Sequence, residues 1–355
     1  WILRGGPDAS RCRRRARLPG MPLLSLPLDH LRSRTSLKWR TYAPDVLPMW
    51  VAEMDVDLHP AVAAAVGEAL TRGDTGYPHG TAYAEAFAAM AATRWAWELD
   101  TAAQARRAGD VMNSILAVLE ASTDPGDAVV INPPVYPPFR QVVSGYRRRI
   151  TEAPLSASGR LDLTTLEAAF SGPDRPRAYL LCSPHNPTGV VHTAAELAAV
   201  MELAARYDVQ VVVDEIHAPL VDPGTTFVPL LTVPGGERAV SVTSAGKTWN
   251  LAAFKAGLII AGTEATPLLQ KLPPLAQQST GHLANLAHTA ALVSAQDWVD
   301  ELMVEVAANK RLLAAELATR VPAVRYEPQP GTYLAWLDCT DLGLAAPARH
   351  FLESG

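Results

Sequence analysis

Val209-Gln210-Val211-Val212-Val213-Asp214-Glu215-Ile216-His217 is the stretch on which the reading of the fold turns. Four of its first five residues are apolar, on both parities, and the run ends abruptly in two acids. A strand covered on one face alternates apolar with polar residues; a strand covered on both faces does not. The run therefore reads as a strand buried between two layers of helices, with Asp214 at its carboxyl end. Ala128-Val129-Val130-Ile131-Asn132 has the same character, and Ala178–Cys182, Ala239–Thr243 and Leu258–Ala261 complete the candidate strands. Between and around them lie Ala- and Leu-rich stretches that favour helix, at 61–70, 82–95, 114–122, 194–206, 284–296 and 299–318. Strands alternating with helices imply a largely parallel sheet.

In open sheets of this kind, ligands gather beyond the carboxyl ends of the strands. Four such ends carry polar residues: Asn132-Pro133-Pro134-Val135-Tyr136, Ser183-Pro184-His185-Asn186, Asp214-Glu215-Ile216-His217 and Ser244-Ala245-Gly246-Lys247. Lys247 follows an apolar run, and a lysine held near a carbonyl in a desolvated place can form a Schiff base. By itself it reads as a solvated surface lysine, since lysines are rarely buried. Asp214 can hold a pyridinium nitrogen protonated, or cap a following helix. Asn186 sits in a Ser-Pro-His-Asn-Pro-Thr-Gly turn stiffened by two prolines, so its side chain can donate to a ring hydroxyl, or simply belong to the turn. Asn113-Ser114-Ile115 opens the helix expected near Ser114 and offers amides and a hydroxyl to a phosphate, with plain N-capping as the alternative. Ser244 adds a hydroxyl, and Lys255 is a charge in an apolar stretch that needs a partner. Tyr136 can stack on a flat ring or pack in the core.

Other chemistries find less support. The net charge is −5 with no sustained basic stripe, which argues against nucleic acid as the main partner. Cys12, Cys182 and Cys339 form no CxxC pair, which fits a reducing cytoplasm. The apolar stretch Leu251–Gly262 is short and carries Lys255, so a buried strand is preferred to a membrane span. His79, His282 and His288 match no zinc-helix spacing, and no metal is expected. Neither a GxGxxG nor a Walker A string is present. Residues 1–20 set six arginines against Asp8 and lack the apolar core of a secretory signal. They are read as a non-native or disordered extension ahead of a start at Met21, in preference to an organelle-targeting peptide.

Taken together, several strings resemble the fold-type I pyridoxal 5′-phosphate (PLP) enzymes of the aspartate aminotransferase superfamily. They are Met49-Trp50-Val51-Ala52-Glu53-Met54-Asp55, Gly76-Tyr77-Pro78-His79-Gly80, Pro134-Val135-Tyr136-Pro137-Pro138-Phe139, Leu181-Cys182-Ser183-Pro184-His185-Asn186-Pro187-Thr188-Gly189, Asp214-Glu215-Ile216-His217 and Gly331-Thr332-Tyr333-Leu334-Ala335-Trp336-Leu337-Asp338. The likeness runs from about Leu26 to the end. Ser-Pro-His-Asn, Asp-Glu-Ile-His and Gly-Thr-Tyr-Leu-Ala-Trp direct it to the cystathionine β-lyase (C–S lyase) branch.

The resemblance implies an α/β PLP-dependent transferase fold: a three-layer α/β/α large domain at 56–295, an N-terminal arm with part of a small α+β domain at 21–55, and the rest of that domain at 296–355. It implies Lys247 as the Schiff-base lysine and the acid or base at the substrate Cα. Asp214 would pair with the pyridine nitrogen, and Asn186 with His217 would contact the ring 3′-oxygen. Tyr136 would stack on the ring. Asn113, Ser114, Ile115, Ser244 and Lys255 would bind the phosphate. Tyr77 would reach the phosphate of a neighbouring subunit, which implies a homodimer.

The sequence departs from the family in three places. Gly246 stands where a second phosphate-binding serine is usual, Asn113-Ser114 replaces a more Gly-like pair, and no Phe-x-Arg-x-Asn-like string for the substrate carboxylate occurs before Gly355. Arg349 is not assigned that role. The third departure points to a truncated gene product or an incomplete record. The expected activity is α,β-elimination of a cysteine thioether to thiol, pyruvate and ammonia. A class I/II aminotransferase and an impaired PLP-binding protein are the alternatives.

Overall fold

The computed structural model describes residues 22–354, so the expectations for residues 1–20 and for Met21 fall outside it. Seven strands form one sheet: β1 Ala105–Ala108, β2 Ala128–Ile131, β3 Arg149–Glu152, β4 Ala178–Cys182, β5 Gln210–Asp214, β6 Val240–Thr243 and β7 Gly257–Ala261. Their order is β1-β7-β6-β5-β4-β2-β3. The pairs from β3 through β2, β4 and β5 to β6 are parallel, whereas β7 runs antiparallel to both β6 and β1.

The central strands show why a continuous apolar run was needed. Val212, Leu180, Val129 and Ile131 enter one core beneath the helices Val111–Ser122 and Pro138–Gly145. Val211, Val213, Tyr179, Leu181 and Val130 enter the opposite core beneath Leu163–Ser171 and Ala194–Arg206. Successive residues of one strand point to opposite faces, and here both faces meet helices. Each fully buried Val or Leu contributes roughly 2 kcal/mol of transfer free energy. A third core lies where β7 and the segment after β6 meet the helices Ala82–Trp95, His282–Ser294 and Gln296–Arg320.

Most expected elements lie within two or three residues of their observed bounds. One shift matters for function: the expected helix at 114–122 begins at Val111, because the Asp110 carboxylate accepts the Asn113 amide at 2.8 Å and caps the helix one turn earlier. β1 and β3 are additional to the expected strands. Both are edge strands with charged residues at their centres or ends, and edges carry such residues where a buried strand cannot. Asp214 is the last residue of β5 and is followed by a turn, so the helix-capping alternative for it is not realised. Among the described residues, no helix is long and apolar enough to cross a membrane.

Candidate active site

The carboxyl ends of β4, β5 and β6 and the start of the helix Val111–Ser122 converge on one cleft of about 720 Å³ including its mouth. Of the expected site residues, Lys247, Asp214, Asn186, Tyr136, His217, Ser244 and Lys255 line it. A second cleft of about 750 Å³ lies at the opposite ends of the strands, between Arg177, Asp208, Gln210 and Arg238. Its lining has no desolvated amine, and Arg177 is already paired with Asp208 at 3.3 Å.

Lys247 is placed by the turn that leaves β6. The Ser244 hydroxyl donates to the Ala256 carbonyl at 2.6 Å and accepts the Gly246 amide at 3.0 Å, which locks the turn just ahead of the lysine. Asn250, at a left-handed φ of 55°, brackets Met54 from its side-chain amide, accepting from Met54 N at 2.8 Å and donating to Met54 O at 2.9 Å. That bracket brings the 52–54 segment over the cleft. Lys247 Nζ donates to the Ala52 carbonyl at 2.9 Å, and the Tyr333 hydroxyl donates to the same oxygen at 3.3 Å. Tyr333 is delivered by the 329–333 strap. Thr332, fully buried at a φ of 60°, donates its amide to the Leu220 carbonyl at 2.7 Å. A Cβ on Gly331 would lie 2.6 Å from the Gly189 carbonyl, so the strap can pass only as glycine. Lys310 ties it down through Asp222 at 2.8 Å and the Gln329 carbonyl at 2.9 Å.

Burial and neighbouring charge set the electrostatics. The Lys247 amine is held below the ordinary lysine value by burial and by the nearby Lys255 cation, with Asp214 and Glu53 opposing. The Asp214 carboxyl is pushed up to about 7 by burial, against the Ile216 amide at 3.0 Å and the Lys247 charge. His217 is fully buried beside them, its pKa pushed down to about 3 by burial and by Lys247, so its ring is neutral. Its Nδ1 is buried without a hydrogen-bond partner, and its ring meets Tyr333 edge-on at 6.2 Å. The Tyr136 amide donates to the Asn186 carbonyl at 3.1 Å, which fixes these two residues relative to one another. The Tyr136 phenol is raised, first by burial and then by Asp214 and Asp110.

The remaining expected residues lie elsewhere. Ser114 is fully buried and donates its hydroxyl to the Asp110 carbonyl at 2.7 Å; Ile115 is packed in the core. Asn113 spends its amide and its side-chain NH₂ on Asp110. The groups that face the cleft at this helix start are Asp110, Val111 and Met112. Tyr77 is 96% exposed and lies outside the cleft lining. The sequence reading missed the Ala52 carbonyl, Asn250, Tyr333 and Asp110. Ala52 and Tyr333 had a signal, since their strings carried the family likeness.

These residues form a chemically consistent receptacle for PLP. A desolvated amine faces the cleft, as a carbonyl carbon requires. A buried acid lies across from it, as a ring nitrogen requires, and a buried imidazole nitrogen lacks a partner. The start of a twelve-residue helix and a lysine lie at one end, as a phosphate requires.

The buried groups also set a pH dependence. Burial depresses the pKa of His185 to about 3, His192 to about 4, His217 to about 3 and His288 to about 4. Below pH 6.5 the unfolded chain binds protons at these sites and the folded chain does not, so they remove stability as pH falls. Asp214 and Glu215, both raised to about 7, act in the opposite sense between pH 5 and 6.5, because the folded chain then holds protons that the unfolded chain has lost. Because the unfolded histidines are only partly protonated near pH 6.5, the net of these sites predicts that the ligand-free protein loses about 1.5 kcal/mol between pH 6.5 and 5.5. Denaturant unfolding at pH 6.5 and 5.5 measures this, and equal stability at both would refute it.

The aminotransferase class I and II family model matches residues 44–350. A Mycobacterium leprae (strain TN) protein named "Putative cystathionine beta-lyase" is 47% identical over 352 residues, covering 94% of this chain and 88% of its own length. The cystathionine beta-lyase of Corynebacterium glutamicum is 30% identical, covering 92% of this chain and 88% of its own. Among solved structures, a "putative plp-dependent beta-cystathionase" from Corynebacterium diphtheriae superposes with a TM-score of 0.87 at 31% identity, covering 94% of this chain and 88% of that one.

Proposed function

The chain belongs to the aminotransferase class I and II family, and from that premise we propose that it is a PLP-dependent C–S β-lyase acting on a cysteine thioether. The single observation that carries this reading is the facing pair of a desolvated Lys247 amine and a buried Asp214 carboxyl in one cleft. The relatives named for cystathionine β-lyase activity favour the lyase branch.

PLP, when bound, supplies a carbonyl for covalent attachment and an electron sink for charge developing at the substrate Cα. Lys247 would hold the cofactor through Nζ, and the same amine is the group placed to take the proton from the substrate Cα. Its lowered pKa leaves more of the amine neutral and able to do so. The Ala52 carbonyl gives the freed amine an acceptor 2.9 Å away, so it stays beside the reacting carbon. Asp214 would keep a proton on the ring nitrogen, and that cationic partner would offset the cost of burying its carboxylate. Asn186 and His217 Nδ1 would address the ring 3′-oxygen, and Tyr136 would cover the ring face. The Val111 and Met112 amides with Lys255 would bind the phosphate, while the Ser244 hydroxyl, donated to the Ala256 carbonyl, holds the turn beside it. Loss of the Cα proton is followed by cleavage of Cβ–S, with the electron pair leaving on the thiolate. The remaining carbon skeleton hydrolyses to pyruvate and ammonia.

This reading includes a cytoplasmic homodimer. Tyr77, Met49 and Leu275 are strongly exposed for aromatic or apolar residues, which suits cover by a second copy. Tyr77 would then reach the partner's phosphate end.

L-cystathionine given to the PLP-loaded protein tests the reaction. Thiol and pyruvate should appear in equal amounts. Amino transfer to 2-oxoglutarate without thiol release would assign the chain to the aminotransferases instead.

A further inference from the structure

Asp110 is an acid at the end of the cleft where the proposed cofactor needs cationic and amide donors. Its Oδ1 accepts the Asn113 amide at 2.8 Å and the Asn113 side-chain NH₂ at 3.0 Å. Its Oδ2 lies 3.2 Å from Lys255 Nζ. Its charge is felt as far as Tyr136, whose phenol it helps to raise. The Asp110 carboxylate thus draws on the two resources that an anion would use here: the positive end of the helix Val111–Ser122 and the Lys255 cation. The Ser114 amide and hydroxyl, which donate to the Asp110 carbonyl at 2.9 and 2.7 Å, and the tight start of β7 hold its backbone in place. A Cβ on Gly257 would lie 3.0 to 3.1 Å from the Asp110 backbone and Ser114 Oγ.

We propose that Asp110 is an intramolecular competitor for the cofactor phosphate, and that it sets PLP affinity below what the same cleft would reach without its charge. The inference rests on the PLP reading. An arriving phosphate must share Lys255 with Asp110 and accept a like charge beside it. The residue thereby discriminates between ligands with and without a phosphate: it penalises PLP and leaves pyridoxal untouched.

Asp110→Asn isolates the effect, because Asn caps a helix as well as Asp does and keeps the acceptor for the Asn113 amide. Affinities of PLP and of pyridoxal for the wild-type and variant apoproteins are measured by absorbance titration. Inorganic phosphate is added as a competitor in a parallel series. The variant should bind PLP roughly tenfold more tightly, with pyridoxal unchanged, from one fewer like charge a few ångströms away. Inorganic phosphate should inhibit PLP binding to the variant at roughly tenfold lower concentration. Unchanged or weaker PLP binding by the variant would overturn the inference, as would an equal gain for pyridoxal. A wild-type protein that binds neither PLP nor pyridoxal would overturn the PLP reading itself.

Discussion

Lys247→Ala is expected to abolish covalent attachment of PLP and to lower thioether turnover by about 10⁴-fold, the upper range for loss of a positioned acid–base group that is also the covalent anchor. The fold should survive. The Ala52 carbonyl keeps the Tyr333 hydroxyl at 3.3 Å, and the Asn250 bracket on Met54 is independent of the lysine. The Asp214, Asn186 and Tyr136 contacts remain, so PLP should still associate without a covalent link. Lys255 cannot substitute. It is well exposed and paired with Asp110, whereas Lys247 is desolvated and faces Asp214 across the cleft. Absorbance of the bound cofactor and the rate of pyruvate formation measure the two losses. Retention of both would remove Lys247 from the chemistry.

Asp214→Asn is the second large effect. Asn keeps an oxygen for the Ile216 amide and nearly the same volume, so β5 should hold its register. The change removes only the carboxylate that a protonated ring nitrogen needs. Losing one partner of a buried charged pair costs about 4 kcal/mol, which corresponds to roughly 10³-fold in rate. The loss should fall on kcat, because Lys247 still anchors the cofactor. An unchanged kcat with a raised KM would mean that Asp214 binds substrate and leaves the ring nitrogen alone.

Lys247, four residues beyond the end of β6, was legible in the sequence only in company with Asp214, Asn186 and Lys255. Asp214 was legible because it terminates an apolar run, and a polar residue at the carboxyl end of a buried strand has few roles. The three-layer fold was legible for the same reason. Its antiparallel β7 was not, since strand direction is set by partners rather than by composition. The edge strands β1 and β3 escaped because exposed edges carry Arg106, Arg107, Arg149 and Glu152, which mask the pattern. The phosphate end was displaced by one turn because Asp110 and Asn113 are both good caps, and in the fold the Asp110 carboxylate takes the Asn113 amide. The Asn250–Met54 bracket and the shared Ala52 carbonyl join residues about two hundred or more positions apart. No local pattern encodes such contacts.

Borohydride reduction of the PLP-loaded protein, followed by peptide mass mapping, tests the central assignment most directly. The result expected is a single phosphopyridoxyl group on the peptide that contains Lys247, with none on Lys255. Label on another lysine, or no label on a protein that still releases thiol from L-cystathionine, would contradict it.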